Sequence, residues 1–378
     1  MNCARLPGWA GLRLAALSWI FASVVTAPGA SPPKLTEESL LWDNSLNLRG
    51  GFGFKDNVLL SPRLNQSSAF GAFGFDAMLL RLPINGPQFY VFLSGDDYRY
   101  LENVGVDKEQ TFIATSKLQL QAGQTWETGL ELQYIFQNQV FDVSTTESDL
   151  TTIRLKGHGI KTTPFAARKL SETWRLQLDF PVTRQYLLEP LDDYWDLGPK
   201  LILEHRYGHR STLAFGYGLV WRTYDRRSQT DAGGALLPGT SLDFRTHQLE
   251  VVDRHHWDEK RRWRSDTKLG FERNADNGSG FFDYHRYQLT EQLRYTTDSW
   301  MLRGQVRFNY YDYGVQRVDP ASTDNRHLTT LTASVRLERK LLKKLRLFAE
   351  YEHERNLSNR ESNEYSANMV LGGLDWEL

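Results

Sequence analysis

From about Ser45 to its last residue the chain alternates apolar and polar positions in runs longer than ordinary strands. Phe112, Ala114, Ser116, Leu118, Leu120 and Ala122 share one parity, with Thr115, Lys117, Gln119 and Gln121 on the other. After a Gly123-Gln124 turn, Trp126, Thr128, Leu130, Leu132, Tyr134 and Phe136 oppose Glu127, Glu131, Gln133 and Gln137. A period of two places each set on one face of a strand. The same pattern runs through Trp300 to Tyr310, Leu331 to Leu337 and Leu345 to Tyr351. It also persists in Val370, Gly372, Leu374, Trp376 and Leu378, with Asp375 and Glu377 on the other parity. Chain ends usually fray, so alternation kept up to the terminal carboxylate predicts a docked last strand. The apolar parity switches within 155–167 and 244–252, which predicts β-bulges there; Pro164 and Pro181 fit a bulge or a rim.

The connections are of two kinds, and they alternate. Tight turns are expected at Asn85-Gly86, Gly123-Gln124, Lys169 to Glu172, Gly208-His209, Glu259 to Arg261, Thr297-Asp298 and Lys343-Lys344. Longer polar loops fall at Ser61 to Ser68, Glu102 to Lys108, Val143 to Asp149, Glu189 to Asp193, Arg226 to Gly239, Asn274 to Gly280, Gln316 to Arg326 and Asn356 to Asn363. Seven turns and eight loops separate about sixteen strands, an even number, with both chain ends on the short-turn side.

Alternation alone fits a soluble sandwich as well as a membrane barrel. Strand length separates the two, because these strands run to about a dozen residues or more, whereas soluble strands average about five or six. Trp126, Trp174, Trp195, Trp221, Trp263, Trp300 and Trp376 lie near the ends of the apolar faces, where an interfacial aromatic girdle belongs. Hydrocarbon offers backbone N–H and C=O groups no partner, so a sheet survives there only when closed. The expected fold is therefore all-β: a closed antiparallel transmembrane barrel of about sixteen strands, with short periplasmic turns and longer extracellular loops. Its last strand should pair with the one beginning near Leu46.

Composition adds a second constraint. Among 378 residues, 45 Lys and Arg balance 46 Asp and Glu, so net charge points to no nucleic-acid partner. A mean hydropathy of −0.51 looks soluble, as expected if half of each strand faces a wet lumen. Residues 1–30 read as a signal peptide, with Arg5 and Arg13 ahead of the apolar run Leu14 to Thr26 and small residues after it. Residues 31–43 read as a flexible lead-in, and 44–378 as the barrel. The single cysteine, Cys3, falls in the signal segment, so the exported chain would hold no disulfide. Beyond the signal, no window supplies the roughly 20 apolar residues of a spanning helix.

Over residues 44–378 the pattern resembles a Gram-negative outer-membrane β-barrel of the porin type. The resemblance implies outer-membrane lipids as surroundings, small hydrophilic solutes or a saccharide as cargo, and the barrel-assembly machinery as a partner during biogenesis. Such barrels commonly end on an aromatic residue, most often Phe. Here Leu374, Trp376 and Leu378 hold the alternating positions and the last residue is Leu. Oligomeric state stays open.

Candidate chemistry lies on the lumen parity. Arg262, Arg264, Lys268, Arg286, Arg294, Arg303, Arg307, Arg336 and Arg346 make the last third basic, and Glu127, Glu131, Asp179, Glu204, Glu272, Glu338, Glu350 and Glu352 share that parity. Two outcomes are open: a field that selects solutes, or mutual pairing that merely keeps the interior wet. His205, His209, His255 and His256 lack metal-ligand spacing and read as rim residues. The stretch NADNGSG from Asn274 to Gly280 is oxygen-rich but lacks the EF-hand register. Asp96-Asp97 and Asp192-Asp193 read as turn signals, and no catalytic or nucleotide fingerprint is present. A non-enzymatic channel without a cofactor is the expectation. Its rivals are a polysaccharide exporter and a structural or adhesive barrel plugged by its own loops, Arg226 to Gly239 being the longest candidate plug.

Overall fold

The computed structural model describes residues 42–82, 86–102, 105–145, 152–208, 210–319 and 322–378. The signal segment, most of the lead-in, Asn85 and His209 lie outside the described residues. Sixteen strands follow one another: β1 (Trp42–Lys55), β2 (Ser68–Arg81), β3 (Gln88–Tyr100), β4 (Lys108–Ala122), β5 (Trp126–Asp142) and β6 (Thr152–Lys169). Two interrupted strands come next, β7 (Trp174–Asp179 and Val182–Leu187) and β8 (Tyr194–Leu197 and Lys200–Tyr207). The rest are β9 (Ser211–Tyr224), β10 (Asp243–His256), β11 (Trp263–Asp276), β12 (Tyr284–Thr296), β13 (Trp300–Arg317), β14 (Asn325–Leu342), β15 (Leu345–Ser358) and β16 (Tyr365–Glu377). The barrel thus starts at Trp42, two residues before the expected boundary, because Trp42 already pairs with Arg81.

Every strand is antiparallel to its sequence neighbours, and β16 pairs with β1 from Glu377 opposite Asn47 to Met369 opposite Lys55. The Leu378 N–H extends this seam by donating to the Leu46 carbonyl at 2.9 Å. The sheet has no edge, so outside its proline positions the wall can satisfy its own backbone groups. The strand ends, as far as the described residues go, leave the connections where the sequence places the seven turns and eight loops. The loop between β9 and β10 carries a small ladder of its own, Gln229–Thr230 against Leu236–Leu237.

Glycine makes the closing seam tight. A Cβ on Gly51 would lie 2.4 Å from the Gly372 carbonyl oxygen, and one on Gly373 would lie 2.2 Å from that of Gly50. Only a residue without a side chain allows this approach.

Bulges are absent from the two stretches where parity switching predicted them. The β5–β6 ladder runs unbroken from Trp126 opposite Arg168 to Asp142 opposite Thr152, and β10 keeps one register with both neighbours. The switch arises because Phe165, Ala167 and Phe244 are apolar yet point inward, where they are buried. Register shifts occur instead between Asp312 and Arg317 of β13 and between Lys340 and Leu342 of β14.

Prolines explain the breaks in β7 and β8. The N–H groups of Phe180, Gly198 and Leu219 donate to the carbonyls of Pro164, Pro181 and Pro199 respectively, at 3.0, 3.2 and 3.0 Å. Proline has no N–H, so the reciprocal bond of each pair is missing. The register is nevertheless the same on both sides of the breaks. Three half-made pairs therefore lie side by side across β6, β7, β8 and β9.

Candidate functional site

Period-two strands closed into a ring give two faces of opposite character. The exposed large apolar residues, among them Leu118, Leu130, Leu178, Leu201, Phe215, Leu269, Leu302, Leu337 and Leu374, lie on the outward parity. Asp375 and Glu377 lie on the inward parity, as expected, with Leu374, Trp376 and Leu378 outward. All seven predicted tryptophans are outward and exposed. Trp126, Trp174, Trp263, Trp300 and Trp376 stand at the short-turn rim, while Trp195 and Trp221 stand near the long-loop rim. Two further exposed tryptophans, Trp42 and Trp257, escaped notice because neither sits within a clean alternating run.

Most inward charges are paired. Arg286 meets Glu272 at 2.8 Å, Arg264 meets Asp266 at 2.6 Å, and Lys268 with Lys200 flanks Glu250. Glu127 accepts from Arg175 at 3.0 Å and lies 3.5 Å from Lys169. Arg336 is the densest node: it reaches Glu338 at 2.7 Å, Glu350 at 2.9 Å and Asp375 at 3.8 Å, and covers the Phe348 ring. Arg346 bridges Glu338 and Glu377. Glu131 faces inward opposite Lys117. Near the Arg336 node, on β1, Arg49 pairs with both Asp76 and Asp96, a cluster that sequence alternation alone did not single out. Arg262 does not line the lumen. It belongs to the turn before β11 and pairs with Asp258 at 3.4 Å, because β11 begins only at Trp263.

Three inward arginines of β12 and β13 stand apart. Among the described residues Arg294, Arg303 and Arg307 have no carboxylate within 4.0 Å, although each lies on the inward parity. Arg264, Arg294, Arg303 and Arg336 sit directly opposite one another on four successive strands, β11 to β14. Like charges placed directly opposite destabilise a sheet, so the row costs stability and calls for another account. The Arg294 Nε is buried without a partner. Arg294, Arg303 and Arg336 line a cavity of about 460 Å³, with Arg49, Asp76 and Asp96 on its other side.

The long-loop end of the lumen is packed. Val58 and Leu60, from the loop after β1, are buried with Phe70, Tyr100, Val106 and Val140. Opposite them, Leu242 from the loop after β9 is buried with Tyr224, Phe244, Phe281 and Phe282. Polar struts cross between. Arg326 at the start of β14 donates to the Ser144 carbonyl at 2.6 Å, to Ser144 Oγ at 2.8 Å and to Gln316 Oε1 at 2.9 Å, over the Tyr313 ring. Asn356 Nδ2 donates to Asp142 Oδ2 at 2.5 Å. These contacts join residues 182 and 214 positions apart, and no sequence period signals them.

The remaining candidates resolve locally. His205 stacks on Trp174 at 4.3 Å, and the Tyr207 hydroxyl lies 3.1 Å from His255 Nδ1, so both histidines belong to the short-turn rim. Between β11 and β12 the Asp276 carboxylate accepts from the N–H groups of Gly278, Gly280 and Phe282 at 2.8 to 2.9 Å. Its oxygens close the loop on itself. Asp96 belongs to the Arg49 cluster and Asp97 pairs with Arg99, while Asp193 accepts from the Leu187 N–H, the turn role expected of it.

An apolar wall closed around a charged interior defines a porin-like β-barrel. Among solved structures the chain is similar to OccAB1 of Acinetobacter baumannii, at 10% identity and a TM-score of 0.47, with 89% of this chain and 97% of that one covered. It is similar also to OccK9 of Pseudomonas aeruginosa, at 13% and 0.46, with 89% and 98% covered. A BenF-like porin from Pseudomonas fluorescens Pf-5 follows at 13% and 0.45, with 89% and 99% covered. No family model matches the sequence, and no curated protein matches it.

Proposed function

We propose that the protein is a non-enzymatic outer-membrane channel that passes small hydrophilic solutes, and that its lumen favours anions. The observation that carries this is the inward group Arg294, Arg303 and Arg307, held without carboxylate partners, the first two lining the cavity of about 460 Å³, while most other lumen charges are neutralised in pairs. Fixed charge on one wall raises the local concentration of the opposite ion and biases permeation. In this account the seven tryptophans form the interfacial girdles, and the β16 residues Leu374, Trp376 and Leu378 are what the assembly machinery reads.

Planar-bilayer recording of the refolded barrel tests the proposal. Conductance steps with an anion-shifted reversal potential under a salt gradient are expected, and the R294Q/R303Q variant should move that potential toward zero. A second account, a barrel plugged by its own loops, is favoured by the packed long-loop mouth; it requires that no steps appear.

A further inference from the structure

Three guanidinium groups stack on tryptophan rings on the outward face. Arg184 lies 5.2 Å from the Trp195 ring near the long-loop rim, Arg168 lies 5.4 Å from Trp126, and Arg339 lies 5.1 Å from Trp300, the last two at the short-turn rim. Their counter-charges differ. Arg184 reaches Asp225 at 2.5 Å and Asp193 at 3.4 Å, so the protein neutralises it. Arg168 and Arg339 are exposed and, among the described residues, have no carboxylate within 4.0 Å. They stand on β6 and β14, eight strands apart around a ring of sixteen, and so on opposite sides of the barrel.

A cation on the membrane-facing parity needs compensation, and a ring face at an exposed site supplies only about 0.5–1 kcal/mol. Each tryptophan instead holds its guanidinium over the ring at interfacial depth, with no hydrogen-bond partner for the N–H fork among the described residues. That fork matches two oxygens of one phosphate diester. Lys343 and Lys344 of the turn after β14, beside exposed Leu341 and Leu342, add positive charge next to the Arg339 pair. A headgroup carrying its own ammonium is disfavoured beside them.

We infer that Arg168 with Trp126, and Arg339 with Trp300, are two binding sites for anionic glycerophospholipid in the leaflet at the short-turn end. This rests on the membrane-spanning reading of the barrel but not on conduction through it. Native mass spectrometry of the refolded protein in non-ionic detergent, with dioleoylphosphatidylglycerol or dioleoylphosphatidylcholine added, provides the test. The wild type should retain phosphatidylglycerol over phosphatidylcholine. R168Q and R339Q should each lower that retention about fivefold at one site, from roughly 1 kcal/mol per surface cation. The double variant should lose the preference, and R168K/R339K, which keeps the charges but loses the planar forks, should fall between. Equal retention of both lipids by the wild type, or an unchanged preference in the double glutamine variant, would overturn the inference. Heat-modifiable gel migration reports whether each variant has folded, and a barrel silent in conductance would leave the lipid result intact.

Discussion

Replacing Arg326 with alanine tests whether the packed mouth is held by its buried polar struts. Arg326 is 1% exposed and spans the lumen to Ser144, with Gln316 as its third acceptor. Truncation leaves the Ser144 carbonyl, the Ser144 hydroxyl and the Gln316 amide oxygen without their donor. Leaving buried neutral acceptors without their donor costs about 1–3 kcal/mol, and the three bonds share that cost rather than each adding its own. The wall itself is untouched, because the lost side chain points inward and the β13–β14 and β14–β15 ladders keep their backbone bonds. The cost therefore falls on the inward docking of residues 143–145, shifting their docked-to-released balance by about one to two orders of magnitude. Single-channel recording should show a larger or more frequently open conductance for R326A, with unchanged heat-modifiable migration. R326K, which keeps the charge but loses the planar fork, should fall between. Identical amplitude and open probability in R326A and wild type would refute the claim that this strut closes the mouth.

Other expectations follow from the same geometry. Gly373→Val should prevent closure of the β1–β16 seam, since its Cβ meets backbone rather than a movable side chain; a normal yield of heat-modifiable barrel would contradict this. Leu378→Asp should lower membrane insertion by placing a second charge at an outward position of the last strand, and unchanged assembly in vivo would remove the last residue from consideration. Asp276→Ala should speed amide exchange at Gly278, Gly280 and Phe282 by about an order of magnitude or more, given roughly 1–3 kcal/mol for donors left unsatisfied. Adding calcium or chelator to the wild type should leave those rates unchanged, and a calcium-dependent rate would show that the loop binds metal after all.

The wall was legible in the sequence because a barrel strand is patterned by one local rule, apolar out and polar in, which each residue obeys independently. Turn and loop lengths then follow from where the alternation stops. Parity counting failed where that rule has exceptions. Phe165 and Phe244 are apolar but inward, so they imitated bulges. Arg262 keeps the strand's parity but sits in a turn. The mouth was not legible, because Asp142, Ser144, Arg326 and Asn356 are brought together only after closure of the ring. The row of opposed arginines required registers, which no single strand encodes.

The proline line across β6 to β9 has a mechanical consequence. A hydrogen-bonded pair of an antiparallel ladder ordinarily carries two hydrogen bonds, whereas at Pro164, Pro181 and Pro199 it carries one. Stiffness around the circumference is therefore uneven, with one compliant panel in an otherwise rigid cylinder. Under lateral pressure from the bilayer the cross-section should flatten along that panel first, so the direction in which the lumen becomes elliptical is set by where three prolines fall in register.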